Sequence, residues 1–507
     1  MSGFVVEYGR SDQNNVEAMF EKISHRGTYA SEIYENEGVT MAQNYNRADC
    51  PDAGKEVEIP VPSYRDENLR ICYDGQMGNA DELGLSHGIS DDPFKEERLI
   101  LHLYEQHRGN MLHHLDDSIF AFVISNGDKF FAARDVLGIK TLYYGREDQT
   151  LYLTSELKSI LEVTEDVHEF PPGHYMDHHG QLTQFSALPK TPPKYFHSDL
   201  DRIMDNIRNI IRRSILTRVD FHVPVGCLLS GGIDSSVVTY LASKVYSEMF
   251  GDGTRLKTFA LGVNEDSKDV QNARVMANFL NTNHHELIVS TEQMLAVLPD
   301  VIYYLESFDP SLVRSAVANF LISQYAYNHG IQTLLSGEGG DEVFCGYEYL
   351  KDFPIEELFE RQMECMGFLH NNAALRLDRM NQCNGIRVVA PLISGELLEY
   401  SLAIPPKYKQ KQDGNNRIEK WVFRKAFESL LPKRIVWRLK QEFSQGSGSA
   451  STLTDHFDYL ITDSELSDAQ VEYPMIRSKE ELYYFRIFTR HFGTDNAVKT
   501  VGQWLSL

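Results

Sequence analysis

The seven residues Ser230–Ser236, with the sequence SGGIDSS, place hydroxyls, glycines and one carboxylate between an apolar run and a predicted helix start. Glycines let a backbone approach a ligand closely, and the N–H groups of a helix N-terminus attract anions. The carboxylate of Asp234 could hold a magnesium ion among phosphate oxygens. A capped tight turn is the alternative, but a cap needs only one such residue. The segment therefore predicts a phosphate site, although it differs from the GxxxxGK[ST] nucleotide loop and lacks its lysine.

A second cluster, SGEGGDE at Ser336–Glu342, follows the apolar run Ile331–Leu335. Its three acids repel one another, which a solvated surface turn tolerates. Beside a phosphate site, however, acids serve as metal ligands and as partners for a cationic or ammonia-derived group. On this motif alone both interpretations stay open.

The two clusters lie in the second of two differently patterned parts of the chain. Short alternating runs such as Phe120–Ser125 predict β-strands up to about residue 185. Residues 186–198 are rich in proline and predict a linker. From 199 to 507, apolar strands alternate with helical periods, which is typical of a parallel sheet covered by helices. We therefore expect a two-domain α/β protein with domains at 1–185 and 199–507.

The composition excludes several classes of function. The 507 residues carry 73 acidic and 49 basic side chains, and the net charge of -24 argues against a nucleic-acid or anionic-membrane partner. No apolar run reaches the roughly 18 residues of a membrane span, and the start lacks a signal-peptide pattern. The six cysteines are widely spaced, without a CxxC pair. These features predict a cytoplasmic enzyme of small molecules.

SGGIDSS and SGEGGDEVFCGY together resemble signatures of the asparagine synthetase family, and further matches extend over nearly the whole chain. They comprise His25–Gly27, Tyr73–Gln76, Ala133–Asp135, Gly138–Tyr144, Ser155–Lys158, Phe170–Tyr175, Glu419–Trp421 and Trp437–Gly448. The resemblance implies that 1–185 is an N-terminal-nucleophile (Ntn) hydrolase-like α-β-β-α sandwich of the class II glutamine amidotransferase type. It also implies that 199–507 is a PP-loop ATP pyrophosphatase domain, similar to adenine nucleotide α-hydrolases.

The same resemblance implies a ligase that uses ATP and Mg²⁺. A side-chain carboxylate, usually that of aspartate, becomes an acyl-adenylate with release of pyrophosphate, and ammonia or an amine then attacks it. By resemblance, Glu338 and Lys440 are catalytic, and the metal ligands are Asp234 and Asp341. Arg314, together with Asp341, is implied to bind the substrate, although most arginines are simply solvated. The nucleotide-binding residues implied are Leu228, Ser230, Gly231, Gly232, Asp234, Ser235, Ser236, Leu261, Ser336 and Gly337. Family members commonly form dimers, so a homodimer is a further expectation.

The first half departs from the family at its glutaminase site. The glutamine-hydrolysing branch has a nucleophilic Cys at position 2, exposed by removal of Met, where this chain has Ser2, and a hydroxyl needs stronger activation than a thiol. The family's Asn-Gly-Glu is Asp74-Gly75-Gln76, and the acceptor-only Asp74 would repel the oxyanion that an amide stabilises. Arg47 and Glu96 align with residues that hold the glutamine. We therefore predict a retained scaffold domain without glutaminase activity.

Without a glutaminase, the nitrogen must come from free ammonia, another protein or the substrate itself. β-Lactam and carbapenam synthetases are family members that lack the Cys and close a ring within one substrate, but they have Tyr at the position of Glu338. The family segment Glu-Val-Arg-Val-Pro-Phe-Leu-Asp is replaced here by Arg387–Ser394, with one charge inverted and two deleted. Either an altered acceptor or repacking explains these changes.

Three hypotheses result. The first is an AMP-forming ligase that transfers ammonia or an amine to aspartate or an analogue. The alternative is an intramolecular or specialised amide or β-lactam-type synthetase of a natural-product pathway. A non-catalytic nucleotide-binding protein is the third, and the intact motifs of the second half argue against it.

Overall fold

The computed structural model describes residues 2–9, 12–27, 29–30, 33–46, 61–63, 69–89, 94–196, 199–439, 446 and 448–504. The chain divides into two compact units. Unit 1 comprises Met1–Leu188, Gln382–Arg387 and Phe488–Gly502, and unit 2 comprises Pro189–Asn381, Val388–Ile487 and Gln503–Leu507. The boundary drawn from the sequence had assigned Gln382–Arg387 and Phe488–Gly502 to the second domain.

Unit 1 contains two antiparallel sheets. The first has, in spatial order, Val167–Glu169, Tyr143–Glu147, Thr150–Thr154, Ser2–Tyr8, Val39–Tyr45 and Tyr29–Ala30, with Tyr34–Asn36 also pairing with Val39–Tyr45. The second has Leu182–Gln184, His174–Asp177, Phe130–Arg134, Ile119–Ser125 and Arg70–Gln76. The α-helices of this unit are Gln13–Glu21, Ala80–His87, Lys95–His107, Leu157–Ile160 and Asn496–Lys499, with 3₁₀ turns at Ser24–Arg26 and Arg108–His114.

The strand Ile119–Ser125 shows how the layers stack. Ala121 and Val123 enter a core shared with the other sheet, whereas Phe120 and Phe122 face a second core against the helix Lys95–His107. Alternate side chains of a strand point to opposite faces, so a strand buried on both faces must lie in an inner layer. The helix Gln13–Glu21 lies on the other sheet, against Ser2–Tyr8. The predicted α-β-β-α sandwich is thereby confirmed.

Unit 2 is built on a five-stranded sheet with the spatial order Asn283–Ile288, Lys257–Gly262, Val225–Leu228, Thr333–Leu335 and Arg387–Val389. The pairs among the first four strands are parallel, as predicted. A small hairpin pairs Lys411–Asp413 with Asn416–Ile418.

The helices of unit 2 cover this sheet. The α-helices are Leu200–Arg218, Ile233–Phe250, Lys268–Leu280, Thr291–Leu305, Pro310–Asn328, Gly340–Phe344, Leu358–Phe368, Ala373–Gln382, Gly395–Leu402, Pro406–Lys409, Trp421–Phe427, Lys433–Val436, Ser449–Leu460, Asp463–Glu472 and Lys479–Phe492. Short 3₁₀ turns occur at Glu348–Asp352, Ile355–Glu357 and Leu369–Asn371. In the first of these helices Ile203, Ile207, Ile211 and Ile215 are buried at intervals of four residues, which is the spacing of one helix face.

The strand order of unit 2 predicts where a ligand binds. From Val225–Leu228 the chain proceeds outward through Lys257–Gly262 to Asn283–Ile288, and then returns to add Thr333–Leu335 on the opposite side. In open α/β sheets, ligands bind at the carboxyl ends of the strands where the order reverses. That position lies between Val225–Leu228 and Thr333–Leu335, the two strands that precede the sequence motifs.

Among the described helices, none has the length and apolar character that crossing a membrane requires. Of the cysteines within the described ranges, Cys72, Cys227, Cys345 and Cys365 are buried, Cys383 is half-buried, and none forms a disulfide.

Candidate functional site

The two sequence motifs meet at the carboxyl ends of adjacent parallel strands. Val225 pairs with Thr333 and Cys227 with Leu335, so the two strands end side by side at the same edge of the sheet. A Cβ atom at Gly337 would lie only 2.4 Å from the backbone nitrogen of Ser235, so only glycine permits this approach. The sequence therefore brings both motifs to one point.

The SGGIDSS segment forms a tight loop at the start of the helix Ile233–Phe250. Gly231 has φ +67°, and a Cβ there would lie 2.4 Å from the backbone of Asn272. The Oγ atoms of Ser230 and Ser235 lie 3.1 Å apart, and the N–H of Gly232 donates to Ser230 Oγ at 3.3 Å. This arrangement of hydroxyls before a helix N-terminus suits phosphate oxygens.

An open cleft extends from this loop. Of the predicted nucleotide-binding residues, those lining the cleft are Leu228, Ser230, Gly232, Asp234, Ser235, Leu261, Ser336 and Gly337. Gly231 and Ser236 do not line it. Ser236 is fully buried in the helix, and its hydroxyl has no hydrogen-bond partner among the described residues.

Asp234 and Asp341 face each other in the cleft with a lysine between them. The Nζ atom of Lys420 lies 2.5 Å from Asp234 Oδ2 and 2.7 Å from Asp341 Oδ1. A Cβ at Gly340 would stand 2.3 Å from Asp234 Oδ1, so this glycine leaves the space open. Two carboxylates beside a phosphate loop are the hard oxygen donors that Mg²⁺ prefers, so the residues fit the implied metal.

Glu338 lines the same cleft. Its side chain is 26% exposed, and Arg376 Nη2 donates to its Oε1 at 2.5 Å. Arg376 comes from the helix Ala373–Gln382 and is almost completely buried. Charge-assisted hydrogen bonds of this kind are short and strong, so Arg376 fixes the orientation of the carboxylate.

The third acid of the motif, Glu342, has a structural role. Its side chain is buried, and the hydroxyl of Tyr347 donates to its Oε1 at 2.7 Å. Burial, followed by the charge of Asp341, raises the pKa of Glu342 to about 7. A buried, partly neutral carboxyl is poorly suited to bind a metal. Glu342 therefore differs in role from Glu338 and Asp341, which line the cleft.

Arg314 is placed away from the cleft in the described part of the chain. Its Nη2 and Nε bind the carboxylate of Glu480 at 2.6 and 3.0 Å, and Glu480 is 2% exposed. Its assignment to the substrate stays a prediction. Lys440 and Arg47 lie outside the described residues.

The predicted glutaminase site of unit 1 is built around Ser2 and Asp74. The backbone nitrogen of Ser2 donates to Asp74 Oδ1 at 3.1 Å, and its hydroxyl donates to the carbonyl of Tyr73 at 2.7 Å. Gln43 Nε2 donates to the same hydroxyl at 3.0 Å. Glu96 accepts from the Tyr73 hydroxyl at 2.5 Å and from the N–H of Met77 at 3.1 Å. Ser2, Asp74 and Glu96 are thus each hydrogen-bonded to a residue of a different strand or helix of unit 1.

The carboxylate of Asp74 is also part of a buried ion cluster. Arg26 Nη2 and Lys140 Nζ each lie 3.0 Å from it, and Arg26 Nη1 lies 2.8 Å from Glu156. Lys158 and Glu156 are also paired. Gly75 and Gln76 follow in the strand, and a Cβ at Gly75 would lie 2.5 Å from the ring of Tyr73.

Sequence reasoning missed three residues of the unit 2 site. Arg376 gave no local signal, since its helix has an ordinary periodic pattern. Lys420 stood in a matching segment, Glu419–Trp421, but without an assigned role. Arg438, beside the predicted Lys440, donates to the carbonyl of Ser230 at 3.0 Å and pairs with Asp269 at 2.6 Å, which anchors the phosphate loop.

Known proteins resemble this chain along nearly its whole length. A family model described as asparagine synthase matches residues 206–366 and 356–500, and one described as glutamine amidotransferase domain matches residues 1–191. The chain is 31% identical over 522 residues to a glutamine-hydrolysing asparagine synthetase of Sandersonia aurantiaca, covering 97% of this chain and 96% of that protein. It is 30% identical over 524 residues to one of Lotus japonicus, covering 98% and 87%. The similarity thus includes both units.

Proposed function

This chain belongs to the asparagine synthetase family, and we propose that it joins ammonia or a small amine to the side-chain carboxylate of aspartate or a close analogue, without a glutaminase of its own. ATP-dependent amide ligation, with AMP and pyrophosphate as products, is the activity common to this family. The observation that carries the proposal is the convergence of Asp234, Asp341 and Glu338 on one cleft, at the position where the strand order of the sheet reverses.

The reaction needs two steps because a carboxylate is a poor electrophile. A carboxylate oxygen attacks the α-phosphorus of ATP, and pyrophosphate leaves with the electrons of the broken P–O bond. The lone pair of the amine then attacks the acyl carbon, the nitrogen loses a proton, and AMP leaves. The nucleophile must arrive uncharged, because ammonium has no lone pair.

Each step of the reaction is assigned to described residues of the cleft. The loop Ser230–Ser235 binds the departing pyrophosphate through hydroxyls and N–H groups. Leu228 and Leu261 contact the adenosine, and Glu338, oriented by Arg376, takes the proton from the attacking nitrogen. Asp234 and Asp341 would hold Mg²⁺, which supplies charge neutralisation of the phosphates.

Pyrophosphate release tests the proposed function. The protein is given MgATP and L-aspartate with ammonium chloride at alkaline pH, with glutamine, or with neither nitrogen source. We expect aspartate-dependent release and asparagine formation with ammonium. Absence of aspartate-dependent release under all three conditions would rule out aspartate as the acceptor.

Glutamine should not serve as the nitrogen source. In place of an oxyanion-hole donor, this chain has the acceptor Asp74, which would repel a developing oxyanion and accepts a hydrogen bond from the Ser2 nitrogen. Loss of one oxyanion donor costs about 10²- to 10³-fold in rate, so glutamate formation should be at least ~100-fold slower than ammonium-dependent turnover. Glutamate release, measured against the blank Ser2→Ala, checks this. Turnover of glutamine at the synthetase rate would contradict it.

The replaced family segment gives little support to a specialised acceptor. Within the described chain, none of residues 387–394 lines the cleft. Val389 is buried in the core and its carbonyl accepts from the N–H of Ser336 at 2.9 Å, while Ser394 caps the helix Gly395–Leu402. The changes at these positions favour repacking, so the intermolecular reaction is preferred over ring closure.

Arg376→Met should lower the rate of amide formation by about 10- to 100-fold, since hydrogen bonds to charged groups contribute about 1.5 to 3 kcal/mol. Arg376→Lys keeps the charge and should restore part of the rate. The exposed Arg213, paired with Glu396, provides the control Arg213→Met. The turnover number and the Michaelis constant for the amine are measured separately, because a positioning residue acts mainly on turnover. Equal turnover in wild type and Arg376→Met would contradict the positioning role.

A further inference from the structure

Lys420 is a buried cation inserted between the two predicted metal ligands. It precedes the helix Trp421–Phe427 and has φ +53°, a conformation uncommon for a residue with a side chain. Its side chain is 0% exposed, whereas those of Asp234 and Asp341 are 14% and 15% exposed. The ammonium therefore approaches the acids from the protein interior, and the acids face the cleft.

The surrounding chain is built to admit this lysine. A Cβ at Gly346 would lie 1.9 Å from Lys420 Cε and 2.2 Å from Asp341 Oδ1. No side chain fits there without displacing the bridge. The glycine at position 346 thus leaves the room that the Asp234–Lys420–Asp341 bridge occupies.

The charge balance of the bridge bears on metal binding. Two carboxylates alone would present two negative charges to a cation, but the ammonium of Lys420 reduces this to one net negative charge. A free divalent ion would also meet the ammonium at close range, which opposes its entry. The polyphosphate of a nucleotide brings its own negative charge, and the flexible four-carbon stem of a lysine lets its ammonium turn towards it.

We propose that Lys420 is a resident counter-cation that keeps Asp234 and Asp341 closed to free divalent ions, so that the metal enters only together with the nucleotide phosphates. This inference takes one premise from the proposed function, namely that the cleft binds a nucleotide. The closed state itself belongs to the nucleotide-free protein and is measured without turnover.

The test is a titration with Mn²⁺ as the probe, in which electron paramagnetic resonance measures the free ion. Nucleotide-free wild type should bind Mn²⁺ weakly at this site, and Lys420→Met should bind it about ten-fold more tightly or better, since one nearby positive charge is removed. The matched control is Lys425→Met on the same helix, whose partner is the half-buried Glu428. It should behave as wild type. The gain should vanish in the double variant Lys420→Met with Asp341→Asn.

Two comparisons decide the role of Lys420, one without and one with nucleotide. Equal Mn²⁺ affinity of nucleotide-free wild type and Lys420→Met, or no binding by either, overturns it. Lys420→Gln serves as a second variant if Lys420→Met fails to fold, as judged by its melting temperature. α,β-Methylene-ATP, which cannot release pyrophosphate, should increase Mn²⁺ binding by wild type. Failure of this analogue to bind at all would count against the proposed function, whereas the result without nucleotide decides the role of Lys420.

Discussion

Glu338→Gln is expected to slow amide formation by about 10²- to 10⁴-fold, which is the usual contribution of a positioned general base. The carboxylate of Glu338 lies in the cleft and is held by Arg376 at 2.5 Å. Glutamine has nearly the same shape, but its amide cannot take a proton from the attacking nitrogen. The amide product and pyrophosphate are measured in parallel at saturating ammonium chloride.

The two products separate the steps of the reaction. Adenylation needs no proton transfer to Glu338, so amide formation should fall further than a single turnover of pyrophosphate release. Glu348→Gln makes the same chemical change at an exposed side chain paired with Lys351, and it should leave both rates unchanged. Amide formation within three-fold of wild type in Glu338→Gln would remove Glu338 from the role of base.

The local sequence pattern was sufficient to predict the strand, the loop and the helix that form this site. A buried strand followed by SGGIDSS and then by a helical period predicted a phosphate loop, and the strand Val225–Leu228 and the helix Ile233–Phe250 lie on either side of it. Parallel strands bring their carboxyl ends to one edge, so a second motif after an apolar run had to lie on that edge. The alternation of strands and helices in the second half fixed the fold class for the same reason.

Pairing between distant side chains could not be predicted in this way. Lys420 lies 186 residues from Asp234, and Arg376 lies 38 residues from Glu338, so no window of sequence contains either pair. Arg314 illustrates the same difficulty, because its partner Glu480 is 166 residues away. Spacing along the chain indicates which helix face a residue occupies, but the packing of helices decides which charge it meets.

The ion cluster of unit 1 gives the predicted glutaminase site a reason to keep its charges that does not depend on glutaminase chemistry. Three cations, Arg26, Lys140 and Lys158, surround two carboxylates, Asp74 and Glu156, and none of these side chains is more than 3% exposed. A buried charge that loses its partner must bear the cost of desolvation alone. Removing one member of such a cluster leaves another buried without its counter-charge, so we expect the cluster to be retained for stability.

Glu156→Gln should therefore destabilise unit 1 by about 3 to 5 kcal/mol, which is typical of breaking a buried ion pair. The substitution removes the negative charge that pairs with Arg26 and Lys158, and His25 cannot take over as a counter-charge, since it is neutral or cationic and burial lowers its pKa. Hydrogen–deuterium exchange in urea reports this unit through the strands Ser2–Tyr8 and Thr150–Thr154. The control Glu162→Gln removes a carboxylate that pairs with Lys22 at the surface, where such pairs contribute at most about 1 kcal/mol. If both variants exchange equally, the cluster does not stabilise the fold, and its retention in this domain would have to be explained by binding rather than by stability.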